Sequence, residues 1–114
     1  MKKDYRIKKS QEIEKVMKKG FSKANRYFIV YKYVNSEHPN FRLAISVGKK
    51  LGNAVTRNTI KRRIRAVCTE HKDKIDPGYD YFIIGRKGIS DLDFLAFKEN
   101  LEQLFTKMKI IPKE

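Results

Sequence analysis

The spacing of hydrophobic residues along the chain alternates between a helical period and a strand period, and it predicts where the elements lie. A first helix is expected over about 11–19, with Ser10 as its cap and Gly20 as its stop. Its apolar face contains Ile13, Val16 and Met17. Before this helix, residues 1–9 form a basic arm that we expect to be extended.

Aromatic and β-branched residues predict the strands. Residues 21–24 form a short candidate strand and residues 26–33 a long one. Large apolar residues occupy every second position of 41–47, which predicts a strand that pairs with the preceding one as a hairpin. After a turn at 76–78, residues 79–84 are predicted to be a largely buried strand.

Two further helices are predicted in the second half of the chain. One begins at a cap provided by Asn53 or Thr56 and ends near His71. Its buried stripe contains Ile60, Ile64 and Val67. The last helix begins where Ser90 and Asp93 resemble a capping box. Its apolar face contains Phe94, Phe97, Leu101, Leu104, Phe105 and Met108.

The resulting order is helix, three strands, helix, strand, helix. It predicts an α+β fold in which three helices and a small central mixed sheet form a two-layer sandwich. The chain has 114 residues, of which 40% are hydrophobic, enough for a modest core. We therefore expect residues 1–114 to form a single domain.

Cysteine content and hydropathy limit the class of protein. Cys68 is the only cysteine, so no disulfide can form within the chain, and its helix position indicates a buried, unreactive thiol. The first residues lack the apolar stretch of a signal peptide, and no apolar run approaches the length of a membrane span. We therefore expect a soluble, cytoplasmic protein with no membrane partner.

Positive charge is concentrated in the first two thirds of the chain. The sequence contains 27 Lys and Arg against 13 Asp and Glu, a net charge of +14. Residues 38–69 contain eight bases and no acid, and seven of these bases lie within 49–65. Solvated helix faces normally mix both signs, whereas repulsion among like charges favours a polyanionic partner. We interpret the segment as a nucleic-acid-binding surface.

The helix predicted after Asn53 would present this charge as a stripe. The spacing i, i+3, i+4 and i+7 places four polar residues on one outward face, namely Asn58, Lys61, Arg62 and Arg65. Arg57 lies at the border of this stripe, and Arg63 lies on its other flank. Arginine binds phosphate in a bidentate manner, and Asn58 can both donate and accept hydrogen bonds, so the stripe suits RNA.

No arrangement of residues indicates a protein active site. Such a site needs a nucleophile with a base, paired carboxylates, or metal ligands in register. His38 and His71 are expected at the solvated surface, while Asp76 and Asp80 flank a turn and are expected to serve it. The sequence therefore predicts no catalytic residue and no metal bound by the protein alone.

The basic segment resembles the signature of a known family. Residues 49–65 have the sequence KKLGNAVTRNTIKRRIR, which is similar to the Arg-Asn-Arg signature of the bacterial ribonuclease P protein subunit. Further similarity, in the same order, comes from Arg6-Ile7-Lys8-Lys9, Gly20 with Ser22, residues 24–28, 42–47 and 81–84, and Arg86-Lys87. The resemblance covers nearly the whole chain.

The resemblance implies a non-catalytic subunit of a ribonucleoprotein endoribonuclease. In that family the protein binds a large catalytic RNA, whose Mg²⁺ ions take part in hydrolysing the phosphodiester that joins the 5′ leader to precursor tRNA. The protein holds the leader and broadens the substrate range. The implied partners are thus the catalytic RNA and the leader, with one protein monomer on one RNA. A left-handed crossover between the strands at 41–47 and 79–84 is also implied.

The same resemblance assigns residues to two surfaces. The signature helix and its preceding loop would face the catalytic RNA through Asn53, Arg57, Asn58, Lys61, Arg62 and Arg65. The leader cleft would lie between the first helix and the central sheet. It would be lined by Ile13, Met17, Asn25, Arg26 and Tyr31, with Lys49, Lys50, Arg86 and Lys87 at its edge.

Two departures from the family pattern change these expectations. Ile13 and Met17 stand where the family commonly has aromatic residues, so leader binding would depend more on Tyr31 and on the basic edge. Ala66 stands where the family often has an acid or an amide, which leaves the stripe wholly cationic.

Two other hypotheses fit a basic domain without an active site. One is a structural RNA-binding protein of the ribosomal type, which would share the basic helix. The other is a DNA-binding regulator with this helix in the major groove. The second is disfavoured because the sequence contains no evident dimerising segment to match a two-fold operator.

Overall fold

The computed structural model describes residues 2–113, which form three α-helices and one four-stranded sheet. The helices are α1 (Ser10–Lys19), α2 (Ala54–Glu70) and α3 (Phe94–Lys107). The strands are β1 (Phe21–Ala24), β2 (Phe28–Val34), β3 (Arg42–Ser46) and β4 (Tyr79–Gly85). The predicted α+β class and element order are confirmed. Across residues 2–113, no helix has both the length and the apolar character that a bilayer crossing requires.

The sheet is mixed and has the strand order β1-β2-β4-β3. β2 runs antiparallel to β1 and to β4, whereas β3 runs parallel to β4. The predicted hairpin between β2 and β3 is therefore wrong, because β4 lies between them. The chain instead leaves β3 and returns to β4 through α2, since parallel neighbours need a long crossover. The left-handed sense of this crossover stays a prediction.

The two faces of the sheet pack against different helices. On one face, residues such as Phe28, Val30, Leu43 and Ile83 form the main core with α2 and α3. On the opposite face, Ala44 and Phe82 pack against Val16 of α1 and Ile7 of the arm. The sheet with α2 and α3 gives the predicted two layers, and α1 covers part of the other face.

The ends of α1 follow local backbone chemistry. Lys9 rather than Ser10 is its N-cap, and it makes no side-chain capping bond because a lysine side chain has no acceptor. Gly20 ends the helix as predicted, and its N–H donates to the Val16 carbonyl. A Cβ at this glycine would clash with the carbonyl oxygens of Val16 and Lys32, so only glycine allows this approach of α1 to β2.

The start of α3 differs from the predicted capping box. Asp93 is the N-cap, and its side-chain oxygen accepts a hydrogen bond from the Ala96 N–H at 2.8 Å. Ser90 lies earlier, in a short 3₁₀ turn at Ile89–Asp91. Phe94 was predicted on the buried face, but it is 43% exposed, whereas Phe97 is fully buried.

The N-terminal arm is not simply extended. Lys3–Tyr5 form a 3₁₀ turn, and Arg6 then makes a parallel bridge with Leu43 of β3. The Ile7 N–H donates to the Leu43 carbonyl at 3.0 Å, and the Ile7 side chain is buried. Part of the arm is thus ordered against the outer edge of β3.

A buried ionic network joins α1 to the sheet. Arg42 donates to both Asp80 carboxylate oxygens, from Nε at 3.0 Å and from Nη2 at 2.7 Å, and Nη2 also lies 2.5 Å from Glu12 Oε2. Asn35 Nδ2 donates to Asp80 Oδ1 at 2.6 Å. The bond to Asp80 raises the pKa of Arg42, and the bond from Arg42 lowers the pKa of Glu12. Asp80 was expected to serve the turn before β4, and the structure corrects this.

Cys68 is buried on the inner face of α2, as predicted. It is 1% exposed, and burial raises the pKa of its thiol to about 12. The thiol therefore stays protonated at neutral pH, where only a thiolate would react.

Candidate nucleic-acid interface

The segment between β3 and α2 fixes the direction of the basic helix. Lys49–Leu51 form a 3₁₀ turn, and Gly52 then has φ 145°, which side-chain-bearing residues rarely adopt. Asn53 caps α2, since its side-chain oxygen accepts from the Thr56 N–H at 2.9 Å. Of the two predicted caps, Asn53 is the one used.

The α2 stripe, formed by Arg57, Asn58, Lys61, Arg62 and Arg65, lies on the solvent side of the helix. Asn58 and Arg62 are exposed and the others are half-buried. Arg57 Nε donates to the Gly52 carbonyl at 3.2 Å, and Arg62 Nη2 lies 3.3 Å from Thr59 Oγ1. Within residues 2–113, no carboxylate forms an ion pair with any cation of this stripe. The stripe is therefore a row of positive charge that the fold does not neutralise.

Two other bases of the acid-free segment 38–69 are not part of this surface. Arg42 is buried in its network with Asp80 and Glu12. Arg63 turns toward α3, where Nη1 donates to the Leu92 carbonyl at 3.3 Å and the guanidinium lies 5.9 Å from the centre of the Phe97 ring. Charge counting alone did not distinguish these two from the stripe.

On the sheet face that carries α1, several side chains are only partly buried. Strand register aligns Tyr31 with Phe82 and Ala44 in one row, and Ile29 with Ile84 and Ser46 in the next. Tyr31 is half-buried and stacks on Phe82 with ring centroids 6.1 Å apart. Ile13 of α1 packs in the same cluster, and Met17, one helical turn further along α1, is 42% exposed. These residues give an apolar surface beside α1, here called the sheet cleft after the predicted leader cleft.

Several basic residues lie at the end of the sheet that is next to Ile29, Ile84 and Ser46. β3 and β4 end at this edge and β2 begins there, so the segments that follow or precede them converge. The side chains at this edge are Arg26, Lys49, Lys50, Arg86 and Lys87, and all five are exposed. The topology therefore brings these bases to one edge of the sheet, and their contact with a leader stays a prediction.

Asn25 has an internal role at the same edge. Its side-chain oxygen accepts from the Tyr27 and Phe28 N–H groups at 3.0 and 2.9 Å, and its Nδ2 donates to the Asn100 carbonyl at 2.9 Å. Arg86 Nη1 donates to the Asn25 carbonyl at 2.6 Å. Asn25 thus holds the β1–β2 turn and positions Arg86, rather than presenting a free amide.

Comparison with known proteins decides the family. The model of the family Ribonuclease P matches residues 1–109. A ribonuclease P protein component from Bacillus cereus is 49% identical, covering 99% of this chain and all of the relative. The chain belongs to the ribonuclease P protein family.

Solved ribonuclease P proteins share this fold. The protein from Staphylococcus aureus is 44% identical with a TM-score of 0.90, covering 95% of this chain and 98% of the other. The protein from Thermotoga maritima is 32% identical with a TM-score of 0.81, covering 90% and 96%. Ribonuclease P proteins are the tRNA-processing protein components of a ribonuclease holoenzyme, and the family functions with an RNA subunit on a tRNA substrate.

The sheet cleft of this ribonuclease P protein has a floor that sequence reasoning missed. Phe82 and Ile84 were predicted to lie in a largely buried strand and were given no part in the cleft, yet they lie beside Tyr31 on the face that carries α1. Ile84 is only half-buried. The signal that could have revealed them is the alternation along 79–84, once β4 is known to neighbour β2.

A second cluster of polar groups lies away from both surfaces, where α2 meets α3. Ligand-type atoms of Glu70, His71 and Glu102 lie within 4.8 Å of one another. His71 Nε2 is 2.5 Å from Glu102 Oε2, and Lys98 Nζ is 2.7 Å from Glu70 Oε2. His71 is half-buried rather than fully solvated as expected, and these contacts join the two helices.

Proposed function

We propose that this protein binds the catalytic RNA of ribonuclease P through the α2 stripe together with Asn53, and that the RNA performs the hydrolysis. The observation that supports this is the row of four cations on α2 with no carboxylate partner in the described chain. Phosphates of a folded RNA would neutralise that row and release counterions.

The chemistry of the stripe suits a phosphate backbone. Arg57, Arg62 and Arg65 can each bind a phosphate through two parallel N–H groups, whereas Lys61 acts as a mobile point charge. Asn58 is exposed between them and can meet a base edge or a 2′-hydroxyl. The surface is therefore suited to structured RNA.

The sheet cleft is the proposed site for the 5′ leader of precursor tRNA. The half-buried Tyr31 and the apolar side chains of Ile13 and Met17 offer a surface for unpaired bases, which gain about 1–3 kcal/mol when they stack on an aromatic ring. The basic edge would follow the leader backbone. Asn25 would act there by holding Arg86 in place. The Mg²⁺ required for phosphodiester hydrolysis would be held by the RNA.

Reconstitution tests this division of labour. We expect rigorously RNA-free protein to leave precursor tRNA intact, and the protein with a catalytic RNA to cleave at Mg²⁺ concentrations at which the RNA alone does not. Mapping the cleaved bond should place it at the 5′ end of the mature tRNA. Metal-dependent cleavage by the RNA-free protein would overturn the proposal.

A pull-down separates this function from that of a ribosomal-type protein. The RNA that co-purifies with the protein should be one large non-ribosomal species that cleaves precursor tRNA when Mg²⁺ is added. Recovery of ribosomal RNA alone would favour the structural alternative.

A further inference from the structure

A notch at the outer edge of the sheet borders the α2 stripe. The arm, α1, β3 and α2 border a space of about 190 Å³, whose apolar and aromatic lining consists of Tyr5, Ile7, Ile13, Leu43, Ala44 and Ile45. Arg6, Lys61 and Arg65 also line it. Sites for drug-sized ligands usually span about 300–1,000 Å³, so this notch suits a single planar ring. We call it the β3 notch.

The backbone of Ile45 supplies polar groups inside the β3 notch. The arm covers the outer edge of β3 only as far as Leu43, whose carbonyl accepts from the Ile7 N–H. Backbone groups of alternate strand residues point to the same side, so the N–H and C=O of Ile45 also face outward. Within residues 2–113, no residue of the arm bonds to them. They form an adjacent donor and acceptor, as needed to bind the edge of a base.

Three cations surround the opening of the β3 notch. Arg6 is exposed, and Lys61 and Arg65 are half-buried on the adjoining turns of α2. None of the three pairs with a carboxylate within residues 2–113. An apolar floor, a backbone donor and acceptor, and three unneutralised cations are complementary to a base together with its flanking phosphates.

We propose that the β3 notch binds one unpaired nucleotide of the ribonuclease P RNA subunit. The base lies on Leu43 and Ile45 with its edge toward the Ile45 backbone, and its phosphates contact Arg6 and Arg65. This inference rests on the proposed function, because Lys61 and Arg65 belong to the stripe that would face the RNA. Two cations of the α2 stripe line the notch, whereas Ile13 is the only one of its lining residues that is also proposed to contact the leader, and this favours the RNA subunit over precursor tRNA as the source of the nucleotide.

Zero-length ultraviolet crosslinking of the reconstituted holoenzyme tests the site directly. Mass spectrometry should find peptides containing residues 5–7 or 43–45 joined to a nucleotide that is unpaired in the RNA subunit. Crosslinks from these peptides to precursor tRNA would assign the β3 notch to the substrate and overturn the proposal. Crosslinks confined to other parts of the protein would also overturn it.

A pair of matched charge variants tests the phosphate contact. Arg6 and Lys8 are both exposed bases of the arm, but only Arg6 lines the β3 notch. Arg6→Gln should reduce the salt slope of RNA-subunit binding by about one unit, whereas Lys8→Gln should change it less. Equal effects of the two variants would show that only the general positive charge of the arm matters.

A variant whose larger side chain fills the β3 notch tests whether the notch must be empty for RNA binding. Ile45→Trp should occupy the β3 notch and weaken RNA-subunit binding about tenfold, the size of one lost base contact. Val34→Trp places the same ring at an exposed strand position distant from the notch and should have no effect. If Ile45→Trp fails to fold in a thermal unfolding test, the comparison of Arg6→Gln with Lys8→Gln decides.

The same variants distinguish failure of the notch proposal from failure of the proposed function. If Arg62→Gln weakens RNA-subunit binding but Arg6→Gln equals Lys8→Gln and Ile45→Trp binds normally, the proposed function stands and the notch site is refuted. If Arg62→Gln also has no effect, the proposed function itself fails.

Discussion

Arg42 and the α2 stripe come from the same acid-free segment, yet the folded protein buries Arg42 and leaves the stripe at its surface. Arg42 is buried and bonded to Asp80 and Glu12, whereas Arg62 on α2 is exposed and pairs with no carboxylate of the described chain. The two carboxylates that neutralise Arg42 lie 38 and 30 positions away in sequence. A high density of basic residues along a sequence therefore indicates a binding surface only for those bases that are not paired with acids from distant parts of the chain.

The largest expected effect is on stability. Arg42→Ala leaves the Asp80 carboxylate buried without its cation and should lower the free energy of unfolding by about 3–5 kcal/mol. Arg62→Ala removes an exposed charge and should change it by no more than about 0.5 kcal/mol. Urea unfolding of both variants measures the difference. Similar small changes in both would show that the Arg42 network contributes little to the fold.

The sheet face allows the same contrast between two tyrosines. Tyr33 is aligned with Asp80 and Arg42 across the sheet. Tyr31 is aligned with Phe82 and belongs to the sheet cleft. Tyr31→Ala should weaken binding of a precursor with a long leader by about 1–3 kcal/mol and leave RNA assembly intact. Tyr33→Ala is the matched control and should retain leader binding. The ratio of affinities for long-leader and leaderless substrates measures the leader contact. If Tyr31→Ala leaves this ratio unchanged, Tyr31 does not contact the leader.

A smaller effect is expected in the salt dependence of RNA binding. Arg62→Ala should reduce the slope of the logarithm of affinity against the logarithm of salt concentration by about one unit, through loss of one phosphate contact. Lys107→Ala removes an exposed base from the last turn of α3, which is not part of the stripe, and should leave the slope unchanged. Filter binding over a salt series measures both. An unchanged slope for Arg62→Ala would mean that this arginine meets no phosphate.

The smallest expected effect concerns pH and the Arg42 network. The hydrogen bond from Arg42 holds the pKa of Glu12 below its ordinary value of 4.5. The stabilisation from this pair is therefore fully present above pH 4.5 and is lost as pH falls through the lowered pKa. The stability difference between the protein and Glu12→Gln should be constant near neutral pH and should shrink in acid. A difference that does not change with pH would contradict this role of Glu12.

Local chemistry made several elements predictable. Asn53 caps α2 and Gly20 ends α1 because both roles depend on residues within one turn. The buried residues of α2 and the outward α2 stripe follow from helical periodicity alone. The pairing of β3 was mispredicted because strand neighbours depend on contacts across the whole chain, and β4, which follows α2, inserts between β2 and β3.

The sequence by itself determined the α+β class, the position of the basic helix and, through its resemblance, the ribonuclease P family. Those properties depend on periodicity and on residues close together along the chain. Only the tertiary structure decided that Arg42 is buried beside Asp80, that Arg63 bonds to the Leu92 carbonyl, and that the Asn25 side chain is used internally. It also decided that Phe82 and Ile84 lie beside Tyr31 in the sheet cleft. Each of these follows from strand order and helix packing, which bring together residues from distant parts of the chain.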